Sequence, residues 1–205
     1  MINASIKASS LGSQVSVKTP LFKERLSSLG NLRRHIIIDL GPARSSTLAA
    51  LSGSRCRLDI INLPELLTDH PHESDSKTIM QSLAQRILLC DGEQAELVLC
   101  WTLLNYLDLT QLQELIQLLD RRLTPNARIH ALIGSSSTLL SKNPPGVCVE
   151  DNEHLLIESK EAPSQPSPRY SSGILEKHMQ GFIPERTMLL SNGMREYIFC
   201  RKEYT

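Results

Sequence analysis

The sequence has no excess of charge: 22 basic residues balance 22 acidic ones in 205, and no long run carries one sign. It therefore offers no electrostatic signature for nucleic acid or for an anionic membrane. It also lacks a long apolar run. The longest mostly apolar stretch, Leu97 to Leu107, contains Thr102 and Asn105 and is too short to cross a bilayer, so it reads as a buried strand. There is no Cys-x-x-Cys pair. Cys56, Cys90, Cys100, Cys148 and Cys200 are scattered and odd in number, which excludes a disulfide or zinc framework and suits small buried thiols in a reducing, cytoplasmic setting. Residues 1–20 are Ser-rich but have no acid, no arginine and no signal-peptide core, so residues 1–30 read as a flexible tail and N-terminal helix. A single domain is expected over 31–205, since the chain is too short for two ordinary ones. No internal repeat is present.

What is there alternates. Phe22 to Leu29 is a helical candidate, and Arg34 to Leu40 carries three consecutive isoleucines, the pattern of a strand buried on both faces in a parallel sheet. Gly41-Pro42-Ala43 breaks it, Ser45 to Leu51 reads as a helix, and Cys56 to Leu63 as a second strand, a unit of βαβ size. Between Pro64 and Gly92 a short helix around Leu66 and Leu67 and a helical face of Ile79, Leu83 and Ile87 are expected, with no obvious third strand. Glu96 to Trp101 is another buried strand. Leu109 to Leu123 carries one apolar stripe and is closed by Thr124-Pro125-Asn126, before a strand over Arg128 to Ile133. Two strands flank Asp151-Asn152, and Glu158 to Gly173, rich in Pro, Ser and charge, reads as a flexible segment. A helix over Ile174 to Gln180 leads to strands Ile183 to Ser191 and Met194 to Arg201 around Asn192-Gly193, a hairpin signal. The pattern specifies an α/β three-layer sandwich: a mostly parallel twisted sheet with an antiparallel terminal hairpin.

These elements carry a resemblance. Ile36-Ile37-Ile38-Asp39-Leu40-Gly41-Pro42 resembles the first motif of class I (Rossmann-like) S-adenosylmethionine-dependent methyltransferases. Glu96 to Trp101 with Asn105-Tyr106-Leu107 resembles their fourth-strand motif, and the closing hairpin their reversed last strand. The resemblance spans about Arg34 to Arg201 and implies S-adenosylmethionine as cofactor, with Asp39, Gly41, Pro42, Ala43, Asn62, Asp91 and Trp101 as the residues around it. A dinucleotide-binding Rossmann protein leaves the terminal hairpin unexplained.

The implied site departs from the family pattern. An acid followed by Gly-x-Gly-x-Gly maps onto Asp39, Gly41, Ala43 and Ser45, so one glycine of three remains, and Arg44 and Ser45 add bulk. Gly41 reads equally as a ligand loop and as an ordinary Gly-Pro turn. Asn62 stands where a carboxylate would grip two ribose hydroxyls, and an amide has only one acceptor oxygen. Asp59 points to the opposite face. Asp91 matches an acid that meets the adenine amino group, or a plain Asp-Gly turn. Trp101 is a pocket wall or core, and Thr102 cannot serve as a general base near neutral pH. Methyl transfer relies mainly on proximity, so loss of the cofactor grip matters more than loss of a base.

Other constellations are weaker. Asp69-His70-Pro71-His72-Glu73 has metal-ligating side chains but reads as a solvated loop, and Ser135-Ser136-Ser137 as a helix cap. The loop from Glu158 falls where methyltransferases carry substrate-covering insertions. Arg195 and Glu196 must face opposite ways on one strand. Two functions follow: a methyltransferase with a small-molecule substrate, or a catalytically inactive relative that binds a protein partner. Open space above Gly41 marks the first, and a space filled by Arg44 or other side chains marks the second.

Overall fold

The computed structural model describes residues 12–69, 76–87, 89–90, 92–134 and 138–202. Its centre is a six-stranded sheet among those residues. Strands β2 (His35–Asp39), β3 (Cys56–Ile60), β4 (Ala95–Trp101) and β5 (Leu123–Gly134) run parallel in the order β3-β2-β4-β5. A terminal hairpin, β10 (Phe182–Leu189) and β11 (Met194–Arg201), adds β11 antiparallel to β5 and β10 at the edge. Every residue of β2 is buried, as its isoleucine run requires. Gly193 takes φ +81° in the hairpin turn, where a side chain would be strained.

One face of the sheet is covered by helices α3 (Leu63–Asp69), α4 (Ser76–Arg86), α5 (Leu109–Asp120) and α6 (Ser172–His178). In α5 the stripe Leu112, Leu115, Ile116 and Leu119 is buried, and Asp108 and Gln111 close a reciprocal cap on its first turn. The face of α4 buries Ile79 and Leu83, with Ile87 just beyond it. The other face is covered differently. Helices α1 (Pro20–Ser27) and α2 (Ser45–Leu51) share it with an antiparallel sheet of β1 (Ser13–Lys18), β8 (His154–Ser159) and β7 (Gly146–Val149).

Several local expectations are corrected. Residues 13–18, expected in a tail, form β1, because Ser13 to Lys18 pair in register with Ser159 to His154. The second parallel strand ends at Ile60 rather than Leu63, and Asn62 turns the chain at φ +55°. Thr124-Pro125-Asn126 lie inside β5, with a register irregularity between Leu123 and Arg128 that bypasses the proline. The segment from Glu158 to Gly173 is tied down: β9 (Ser164–Pro166) pairs with β6 (Leu139–Ser141), and buried Tyr170 donates its hydroxyl to the Leu107 carbonyl. No helix of the described residues is long and apolar enough to cross a membrane.

Candidate functional site

The chain reverses direction across the sheet between β2 and β4, and ligands of such folds lie outside the carboxyl ends of the strands there. The ends of β2, β3 and β4 are laced together. Leu40 N donates to the Leu99 carbonyl (3.0 Å), Asn62 N to the Gly41 carbonyl (3.2 Å) and Leu63 N to the Leu40 carbonyl (2.8 Å).

Asp39, the last residue of β2, is buried, and its Oδ1 accepts from Gly41 N (2.8 Å) and from the Trp101 indole Nε1 (2.6 Å). Burial pushes its carboxyl up to about 6, and the two donors pull in the opposite direction. Trp101 ends β4 at φ +50°, in the left-handed region, and its ring lies directly on the turn. A Cβ at position 41 would stand 2.8 Å from both Cδ1 and Nε1 of the indole. Gly41 is needed here because the protein's own tryptophan packs against its backbone. On the far side the indole meets Phe22 of α1 (ring centroids 5.5 Å) and His130 of β5 (6.1 Å, edge-on).

The other expected residues are dispersed. Pro42 is half-buried and Ala43 exposed in the loop to α2. Arg44 does not fill the space above Gly41; it pairs with Glu158 (3.0 Å) and packs against Gly146. The Asn62 amide donates to Glu65 (3.2 Å), which also receives Arg86 Nη1 (2.7 Å). Asp91, His70-Pro71-His72-Glu73 and Ser135-Ser136-Ser137 lie outside the described residues. Among the described residues no three His, Cys, Asp or Glu side chains are placed to hold a metal.

The roles of three polar residues were missed in the sequence, although Asn105 and Glu196 were noted there. Asn105 spans the ends of β4 and β5, donating to the Thr102 and Leu132 carbonyls (2.7 and 2.8 Å) and accepting from Gly134 N (2.9 Å). His130 and Glu196, both fully buried, face each other at 3.1 Å. For His130 the signal was a single polar residue inside the apolar run Ile129 to Ile133, whereas Glu196 follows Arg195 and only opens the run Tyr197 to Phe199. A cleft of about 440 Å3 is lined by Tyr106, Asp108, Lys142 and residues 165–168, within the segment that falls where methyltransferases carry insertions.

No protein-family model matches the chain, and no curated protein matches it. Solved structures do. An S-adenosylmethionine-dependent methyltransferase from Clostridium acetobutylicum ATCC 824 superposes with TM-score 0.50 at 10% identity, covering 89% of each chain. It shares its fold with a chain whose parallel strands end in a reversed hairpin. The chain has the class I methyltransferase fold. The glycopeptide N-methyltransferase MtfA in complex with S-adenosyl-L-methionine is similar at TM-score 0.49 and 9% identity, over 88% of this chain and 93% of that one. A Burkholderia thailandensis 1,6-didemethyltoxoflavin-N1-methyltransferase follows at TM-score 0.46 and 15% identity, over 84% and 72%. The indole lies against Gly41, where a Cβ would stand 2.8 Å from it, and a single oxygen of Asp39, Oδ1, takes both donors.

Proposed function

We propose that the chain is an S-adenosylmethionine-dependent methyltransferase-like protein, with a small-molecule substrate, whose cofactor site is held closed by its own Trp101. The carrying observation is the indole on Gly41, hydrogen-bonded to Asp39. In this state the protein is not catalytic, and cofactor enters only when the indole leaves the turn. The position of Asp39 and Gly41 at the switch point supports the cofactor class. The 440 Å3 cleft has the volume of a small-molecule site.

The test is calorimetry with S-adenosylhomocysteine on the wild-type chain and on Trp101→Ala. Removing a buried indole leaves a space that a ligand can occupy. The closed-site reading predicts at least tenfold tighter binding to the variant. Equal, tight binding to both contradicts closure. A second reading, a permanently non-catalytic partner-binding protein, is favoured by the same filled space above Gly41 and by Asn62, whose amide donates to Glu65 where a ribose would need a carboxylate. Absence of binding to either folded protein at millimolar ligand selects that reading, because a ligand of the native state must stabilise it by mass action.

A further inference from the structure

Glu196 is a carboxylate with no exposed surface and no lysine or arginine ion pair among the described residues. Three donors converge on it instead. Oε1 accepts from Phe22 N (2.7 Å) and faces His130 Nε2 (3.1 Å), and Oε2 accepts from Leu21 N (3.1 Å). Those two amides belong to the first turn of α1, where helix N–H groups lack intrahelical partners. The ordinary capping position, Thr19, supplies no side-chain bond. The helix is capped from the far end of the chain.

The same turn of α1 carries Phe22, whose ring lies against both His130 (5.1 Å) and Trp101 (5.5 Å). Contacts thus run unbroken from Glu196 through α1 and Phe22 to the indole on Gly41. The helix's charged contacts elsewhere, Lys23 with Glu153 and Glu24 with Arg186, are solvent-exposed and hold little. Within the buried network His130 Nδ1 has no hydrogen-bond partner, so the cluster is not fully satisfied when closed.

We infer that α1 is a lid over the Gly41 turn and that Glu196 is its clasp: docking of the helix on this carboxylate holds Phe22 against Trp101 and keeps the indole on the turn. Undocking α1 frees the indole. The inference rests on the closed-site reading, and one set of variants separates the two.

Trp101 is the sole tryptophan of the chain, so its fluorescence reports the turn alone. In Glu196→Gln, amide exchange over residues 20–27 should rise at least tenfold and acrylamide quenching of Trp101 at least threefold, while β2 and β4 stay protected. Faster exchange in α1 with unchanged quenching overturns the lid. Should Glu196→Gln fail to fold, Phe22→Leu takes its place: it keeps the Glu196 cap, and the lid predicts greater quenching with α1 still protected. Unchanged quenching there also overturns it. If Trp101 opens in Glu196→Gln yet S-adenosylhomocysteine still does not bind, the lid stands and the cofactor reading fails. If Trp101 stays closed in Glu196→Gln while Trp101→Ala binds, the cofactor reading stands and the lid fails.

Discussion

A carboxyl that loses its water at the end of β2 has a consequence for stability. The Asp39 group goes from an ordinary 3.8 to about 6, so between those values the folded state holds more protons than the unfolded one. Its contribution is fully present below about pH 4 and is lost as the pH rises through about 6. The difference is on the order of 3 kcal/mol. Asn at this position keeps an oxygen that accepts from Gly41 N and Trp101 Nε1 and carries no charge to bury. Asp39→Asn is therefore expected to be more stable than wild type at pH 7, with the advantage shrinking towards pH 4. Urea midpoints at the two pH values measure it, and a constant difference would speak against the assignment.

Gly41 provides a second test at the same scale. A methyl at position 41 runs into the indole at 2.8 Å, and overpacking of this kind costs about 1–3 kcal/mol. The cost should fall when Gly41→Ala is combined with Trp101→Ala, leaving only the tight approach to Asp39 Oδ1 (3.1 Å), because neighbouring residues are not additive. Equal penalties in both backgrounds would place the indole somewhere else. Trp101 is held at φ +50°, a backbone state that costs about 1–3 kcal/mol for a residue other than glycine. The hydrogen bond to Asp39 and the packing of Phe22 offset it.

Between elements, the joint that matters is Asn105. Its three hydrogen bonds tie the end of β4 to the end of β5, and it is buried. Asn105→Ala strands the Leu132 carbonyl and the Gly134 amide, while the Thr102 carbonyl keeps the Asn105 backbone N–H (3.1 Å), so a loss of about 1–3 kcal/mol is expected, read as a lower urea midpoint with an unchanged slope. The elements differed in how far the sequence revealed them. Helix α5 was legible because Leu112 to Leu119 repeat every three or four residues, and β2 because of its isoleucines. Strand β1 was not legible: in Ser13–Lys18 only Val17 is buried, so the strand exists through its partner β8, 136 to 146 positions away in register. The start of β5 was hidden by Thr124-Pro125-Asn126, which read locally as a turn. The β6 and β9 ladder was hidden by the Pro and Ser composition of its surroundings.

For the molecule as a whole, the alternation of strands and helices and the reversed hairpin could be read from the chain, whereas the order of strands across the sheet came from the structure. What lies on the Gly41 turn could not be read either. The indole reaches Asp39 across 62 positions, and the helix that presses on it is capped by Glu196 across 174. Such contacts leave no periodic trace. Arg44 was the residue expected to crowd Gly41, yet Glu158 draws it away and Trp101 takes the space. The fold is thus that of class I methyltransferases, and at the turn after β2 the Trp101 indole, backed by Phe22 of α1, lies against Gly41, which we propose closes the cofactor site.

Titration of S-adenosylhomocysteine into the wild-type chain and into Trp101→Ala, followed by calorimetry, tests that closure most directly. Binding at least tenfold tighter in the variant is the predicted result; the same tight affinity in both would contradict it.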